Sequence, residues 1–453
     1  MVRELAVVFA VTATACAQVG KVAEPLVIES TTIIDVRTGS SKAGMTIVVE
    51  GDRISDVGES STVQIPRKAT VIDGRGKWVI PGIVEVHSHD NSKELLARAL
   101  ALGVTTMHTM PAAGDTLLAL EGWSREPENP SPRIHLTPWL FSGEWPDNIF
   151  PRTYLVRKPL TVTEAREYVQ EVHHHGIRQI KMYLEDGSLW FLPESPIPNL
   201  TAEVAHEVVR AAHADGIRVY AHAWRHSFAR QALELGVDAL IHPVADRVVE
   251  RSLWEEMKRR AMPWTATFGV LVEYGDPTDY ARRVLSDSRL RDALTVEELD
   301  RFENEVETPA GCRFDLFPTL CTNYPAYLDA VTRNTQSARD FGLPMALGSD
   351  TEIGIGTHLE IELLSQAGMT PAEILRAATE GGALLLGVAG EIGTIEPGKL
   401  ADLVVLTADP LLDIRNVRNI RFTVKGGKLF EPDELLMKEE LIRKYFPSSS
   451  SGG

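Results

Sequence analysis

Apolar and polar positions along the chain change their period twice. Over residues 24–79 the apolar residues come in short runs: Leu26-Val27-Ile28, Thr32-Ile33-Ile34, Thr46-Ile47-Val48-Val49 and Val71-Ile72. Gly51-Asp52 and Asp73-Gly74 supply turn signals between them, and no helical period is visible. A second strand-rich piece lies near the C-terminus, with Ala401-Asp402-Leu403-Val404-Val405-Leu406 and Arg421-Phe422-Thr423-Val424 ahead of Gly426-Gly427. Neither piece is large enough for a core of its own. Residues 24–79 and 391–432 together predict a small β-sandwich domain built from both termini, with a helix and tail over 433–453.

Between them, over 80–390, strands and helices alternate, which predicts parallel βα units. The candidate strands are 82–89, 104–110, 133–140, 177–184, 218–224, 239–244, 263–268 and 344–350. Helical segments separate most of them, as at 92–102, 163–175, 202–214 and 227–235. Eight such strands favour an α/β fold of the (β/α)8 TIM-barrel type over an open doubly wound sheet. The missing G-x-G-x-x-G after the first strand weighs the same way. The longest interval between strands, 269–343, contains mixed charges, prolines and two cysteines, and is the candidate lid or specificity loop on the catalytic face.

Composition narrows the function. The 453 residues are 44% hydrophobic and carry a net charge of -17 without a long basic run, which excludes nucleic acid as an expected partner. Residues 1–17 read as a signal peptide: Arg3, an apolar run from Leu5 to Ala15, then Ala15-Cys16-Ala17 as a small-x-small cleavage pattern. Export to the periplasm or medium is the expectation; a cytoplasmic chain with an apolar tail and lipidation at Cys16 are the alternatives. No stretch elsewhere is apolar for long enough to span a membrane. Cys312 and Cys321 remain, and export favours a disulfide between them over two free thiols. A homo-oligomer is compatible with the sequence.

The chemistry is concentrated at strand ends. His87 and His89 close the first barrel strand, and side chains two apart on a strand share a face. Lys181 sits between Ile180 and Met182, so it faces away from its apolar neighbours and into the barrel. His222 ends the fifth strand, His242 the sixth and Asp350 the last. Any one of these alone reads as a satisfied buried polar group or a surface side chain. Six converging on one mouth do not. His108 at the end of the second strand faces the pocket or makes a structural hydrogen bond. His358, opening the helix after the last strand, contacts substrate or caps and packs that helix. Tyr183, Trp224 and His226 are candidate pocket walls, with core packing or loop anchoring as their alternative. His173-His174-His175 reads as a solvated helix end, because consecutive helix residues point in different directions.

These motifs resemble the amidohydrolase superfamily, in its imidazolonepropionase- and prolidase-like branch. The resemblance also covers Gly103-Val104-Thr105-Thr106, Gly236-Val237-Asp238, Gly356-Thr357-His358-Leu359-Glu360, Ala367-Gly368-Met369-Thr370-Pro371 and Gly393-Thr394-Ile395-Glu396-Pro397-Gly398-Lys399-Leu400-Ala401-Asp402. It implies that His87, His89 and Asp350 bind one metal and His222 and His242 a second. Lys181, carboxylated on its amine, would bridge the two as an anionic oxygen ligand. Zinc is the default for imidazole and carboxylate donors, and manganese, cobalt or iron also fit. Two divalent ions roughly 3.5–4 Å apart would hold a hydroxide that attacks the substrate carbonyl. Asp350 would take its proton and pass it to the leaving amine. The sequence departs from the family's usual pattern at Glu85, at Ile241-His242-Pro243 and at Met107-His108-Thr109.

The reaction implied is hydrolysis of an amide bond in a small molecule, a dipeptide or N-acyl amino acid. A cyclic amide or lactone, a carbamate or a phosphoester is the alternative on the same site. Deamination is less favoured, because the lysine ligand points away from mononuclear deaminases. A non-enzymatic binding protein on the same scaffold would show loss of a ligand, and none is lost.

Overall fold

The computed structural model describes residues 24–436 apart from 91, 111–115, 143–155, 191–196 and 315. The signal peptide expected over 1–17 and most of the C-terminal tail lie outside the described residues. Eighteen strands follow in chain order. They are β1 (Leu26–Asp35), β2 (Ser40–Glu50), β3 (Arg53–Glu59), β4 (Thr70–Asp73), β5 (Trp78–Pro81), β6 (Ile83–Ser88), β7 (Val104–Thr109), β8 (Arg133–Leu136) and β9 (Trp139–Leu140). Then come β10 (Val156–Arg157), β11 (Gln179–Tyr183), β12 (Arg218–His222), β13 (Ala239–Leu240), β14 (Trp264–Thr265), β15 (Met345–Ala346), β16 (Leu403–Leu406), β17 (Ile420–Lys425) and β18 (Lys428–Phe430).

The two terminal pieces form one eight-stranded sheet in the order β18-β17-β16-β5-β1-β2-β3, with β4 also on β1. The expectation of a sandwich is therefore corrected to a single sheet. The reason lies in β1, whose register with β2 shifts around Thr31 beside Ser30 in the left-handed region (φ 60°). Its first half pairs with β4 and its second half with β5, so one bent strand keeps the whole sheet continuous. Ile28, Ile47, Val49, Val79, Leu403, Val405 and Val424 are buried together in the core of this sheet.

The alternating region is an α/β fold of parallel strands, but among the described residues its ladders do not close into one barrel sheet. They form β6-β7-β8, β10-β9-β11-β12-β13 and β14-β15. Pro138 divides the expected 133–140 strand into β8 and β9 because it has no N–H to donate, although its carbonyl accepts Lys181 N at 2.9 Å. Pro243 stands just past β13, where the next ladder breaks. A single bond crosses one of the breaks, where Val86 N donates to Leu347 O at 2.9 Å and so links β6 to the end of β15. Thr137 N, donating to Thr109 O at 3.0 Å, extends the β7–β8 ladder by one more bond.

Strand alternation sorts the side chains into two cores. Ile180, Met182, Val219, Ala221 and Leu240 face the surrounding helices in the large cluster. Tyr183, Tyr220, Ala239 and Ile241 belong to a second cluster on the opposite face of the strands. Lys181 and His222 have the inner parity of β11 and β12. Tyr220 closes the floor by donating its hydroxyl to Leu385 O at 2.9 Å. The helices begin where the sequence supplies oxygen caps. Ser92 accepts from Leu95 N ahead of Lys93–Ala101, and Thr161 forms a capping box with Glu164 ahead of Val162–His174. Each such cap contributes about 1 kcal/mol, so helix placement rests mainly on the apolar faces they bury.

Candidate metal centre and its cavity

The site starts from Glu85. This side chain is fully buried, and its carboxylate accepts from His87 N and Ser349 N, both at 2.9 Å, and from the Thr357 hydroxyl at 2.9 Å. It thereby fixes the end of β6 against the turn after β15. Burial pushes its pKa up to about 7, with the three donors working in the opposite direction. Gly348 makes this approach feasible, since a Cβ there would stand 3.0 Å from both the His87 Cβ and Thr265. Two residues later Asp350 adopts φ 58°, and its N–H donates to His87 O at 2.9 Å. Aspartate tolerates this conformation better than most L residues, and such strain is a recurrent property of functional positions.

The imidazoles are oriented from behind. His87 Nδ1 donates to Ile241 O at 3.1 Å and His89 Nδ1 to Met110 O at 2.7 Å. His242 Nδ1 lies 3.2 Å from the Thr267 hydroxyl. The opposite nitrogens converge on Asp350, with His89 Nε2 at 2.9 Å, His87 Nε2 at 3.3 Å and His242 Nε2 at 3.9 Å from its carboxylate oxygens. An imidazole donating through Nδ1 presents a lone pair at Nε2. Lone pairs facing a carboxylate oxygen repel unless a cation or a proton lies between them, so this donor set fits a metal ion. The donor atoms of His87, His242 and Asp350 all lie within 4.8 Å of one another.

His222 completes the mouth from β12. Both of its ring nitrogens are buried without a partner among the described residues, as is His242 Nε2. Burial drives His87, His222 and His242 well below the usual histidine range, which keeps them neutral, as metal ligation requires. Lys181 Nζ lies 3.3 Å from His87 Nε2 and 4.6 Å from the centre of the Trp139 ring. Burial lowers its pKa to about 7, with Asp350 opposing that shift. Asp350 shows the reverse outcome. Burial alone would raise it, but His87, His89 and Lys181 outweigh that effect and hold it at about 2.

A cavity of about 470 Å3 opens over these groups. Its walls include His89, Lys181, His222 and Asp350, together with Tyr183 stacked on His222 at 3.9 Å and Trp224 stacked on His242 at 4.6 Å. Three other expected pocket residues are placed elsewhere. His108 is buried with Nδ1 donating to Val86 O at 2.9 Å and Nε2 against the Thr137 hydroxyl, so it ties β7 to its neighbours. His226 starts the helix His226–Leu235 and is held by Glu250 at 2.6 Å, outside the cavity. His358 is buried within the helix Ile355–Gln366 and bonds Leu102 O at 2.9 Å. In each case a nearby acceptor claims the ring, which is the structural alternative.

The cavity also uses Trp139, Trp190, Val270, Glu273, Tyr274 and Phe317, which the pattern of strand ends does not reveal. Trp139 had a usable signal, because it lies opposite Lys181 in the parallel register of β9 and β11. Val270, Glu273, Tyr274 and Phe317 come from the long interval after β14. There a disulfide joins Cys312 to Cys321 and Cys312 Sγ lies 3.2 Å from Tyr274 O.

Comparison with known proteins identifies the family. An imidazolonepropionase of Geobacillus kaustophilus is 25% identical over 406 residues, spanning 81% of this chain and 84% of that protein. A solved candidate prolidase from Bifidobacterium longum is 26% identical with a TM-score of 0.71, covering 92% of this chain and 99% of the other. A solved Xaa-Pro dipeptidase with bound methionine shares the fold at 20% identity and a TM-score of 0.69, covering 90% and 100% of the two chains. The amidohydrolase family profile matches residues 78–430, most of the chain and all of the residues that converge on Asp350. The chain belongs to the amidohydrolase family and is a hydrolase acting on C–N bonds.

Proposed function

We propose that the protein hydrolyses the amide bond of a small substrate, a dipeptide or an N-acyl amino acid, at a centre of two divalent ions. The observation that carries this is the convergence of histidine lone pairs on Asp350, with their other nitrogens already committed to the main chain. His87, His89 and Asp350 would hold one ion and His222 and His242 the other. Lys181 would bridge them as its carboxylated form, and zinc is the metal best suited to these donors. Burial of Lys181 lowers its pKa to about 7 and supports that step, since a neutral amine is the form that adds to carbon dioxide. When bound, the ions supply Lewis-acid activation of water and of the scissile carbonyl.

The chain's own groups do the rest. Asp350, ionised at neutral pH and partly open to the cavity, takes a proton from the attacking water and hands it to the leaving nitrogen. Tyr183 and Trp224 fix the rings of His222 and His242 by stacking. The Cys312–Cys321 disulfide supports export into an oxidising compartment. No helix among the described residues is long and apolar enough to cross a membrane.

Metal analysis of the purified chain, with a panel of dipeptides, N-acyl amino acids, cyclic amides and lactones, tests the reading. About two ions per chain and release of free amino acid are expected. Absence of bound metal and of turnover, even after refilling with zinc or manganese, would overturn it.

A further inference from the structure

The cavity has a second wall that metal ligation leaves unused. Glu273 and Tyr274 stand on the helix Phe268–Gly275, Phe317 precedes the helix Pro318–Asp340, and Trp190 faces them. The three rings cluster edge-on or tilted, with Tyr274–Phe317 at 4.9 Å, Trp190–Phe317 at 5.9 Å and Trp190–Tyr274 at 6.2 Å. Glu273 lies in this wall with its carboxylate largely buried.

Its nearest cation among the described residues is Arg301 at 3.8 Å, and that guanidinium is bound more closely to Glu352, which also accepts the Tyr280 hydroxyl at 2.8 Å. One arginine thus serves two carboxylates. Burial, then Glu352, Asp350 and Asp90, push Glu273 well above the usual carboxylate range, with Arg301 opposing them. In the same cavity Trp224 is fully buried and edge-on to Trp190 at 5.2 Å, and its indole N–H has no acceptor among the described residues. A buried carboxyl short of a counter-ion releases its proton to solvent when a cation arrives beside it, and with three aromatic rings next to it this is the chemistry that recognises a protonated amine. The carboxylate supplies charge pairing and the ring faces supply cation–π attraction.

We infer that Glu273 is the specificity-determining residue of this cavity and selects substrates that carry a protonated amine, N-terminal or side-chain, against the Trp190, Tyr274 and Phe317 rings. The inference rests on the amide-hydrolase reading for the position of the scissile carbonyl, which lies at Asp350 while the amine points to the opposite wall. The Trp224 N–H is then a donor for an acceptor on the same substrate.

The test is calorimetric binding of lysyl-alanine, norleucyl-alanine and N-acetyl-norleucyl-alanine to the full metal-loaded chain and to Glu273→Gln. Wild type should prefer the lysyl over the norleucyl dipeptide, or the free over the acetylated one, by about ten-fold, as one charge-assisted contact supplies. The first preference assigns a side-chain amine and the second the N-terminal amine. Glu273→Gln should abolish whichever preference is found. Glu352→Gln, which leaves Arg301 to Glu273 alone, should weaken it. Equal binding of all three ligands, or a preference that survives both substitutions, overturns the inference. The readout is affinity, so a preference without any turnover would sink the amide-hydrolase reading and leave the role of Glu273 standing.

Discussion

Two buried lysines show how differently this fold uses one side chain. Lys425, on β17, is fully buried and donates to Ser124 O and Glu126 O at 2.8 Å and to Asn129 O at 3.0 Å. Lys181 is equally buried, yet it finds one histidine nitrogen at 3.3 Å and the face of an indole. Burial pushes both down to about 7. Three carbonyls, however, call for three donated hydrogens, which only the ammonium has, so Lys425 serves as a charged clamp. Lys399 follows the same pattern, with Ala389 O at 3.0 Å, Ile392 O at 3.3 Å and the Thr394 hydroxyl around it. Burial therefore does not mark a chemically active lysine. A shortage of acceptors does, and around Lys181 that shortage extends to His222 and His242.

The largest effect should separate the metal centre from everything else. Asp350→Asn is expected to lower kcat by about 10²–10⁴-fold, the range of general acid–base catalysis, with little change in melting temperature. Full activity in that variant would sink the proton-transfer role. Lys181→Ala should cost about 10²–10³-fold, comparable to losing one preorganised electrostatic contact, and should reduce metal content toward one ion per chain. Wild-type turnover would remove the bridging role.

The opposite signature is expected at the other lysine. Lys425→Met leaves three carbonyls without a donor and should destabilise the chain by about 3 kcal/mol in denaturant unfolding, while kcat per folded molecule stays unchanged. Lost activity without lost stability would erase the contrast between the two lysines. The smallest effect concerns Glu185, buried beside Trp224, whose main-chain N–H donates to its carboxylate at 3.2 Å. Burial raises its pKa from 4.5 to about 8. The folded state binds this proton more tightly, so the stability it contributes is complete below 4.5 and is lost as pH rises through about 8. The melting temperature of wild type should fall relative to Glu185→Gln across that window, and parallel curves would refute the shift.

The convergent ligands were readable because a strand end is a local feature. Lys181 between Ile180 and Met182 carries its orientation in the two-residue period, whereas His89 falls just past β6, whose register with β7 shifts between Glu85 and Ser88. The same logic left His108 open between the pocket and a structural bond, and it takes the bond, finding Val86 O and Thr137. His226 and His358 were lost to Glu250 and Leu102 O, partners 24 and 256 residues away in sequence. The alternation of strands and helices was legible, whereas the ladder breaks near Pro138 and Pro243 depend on pairing that no single segment specifies. Glu273, Tyr274 and Phe317 were hidden for a similar reason. They reach the cavity through helices of the long interval, whose packing is set by distant contacts and by the disulfide.

The clasp at Glu85 also has a consequence for how the chain comes into being. Its acceptor oxygens meet Ser349 and Thr357 across sequence separations of 264 and 272 residues. While the chain is synthesised from its N-terminus, His87 and His89 emerge long before Asp350, and no complete donor set exists until the last parallel strand has been made. Contacts of such high separation form late and slowly. Metal capture by this donor set would thus be a closing event of folding, and a nascent or truncated chain ending before Asp350 would present histidines with no carboxylate to gather them.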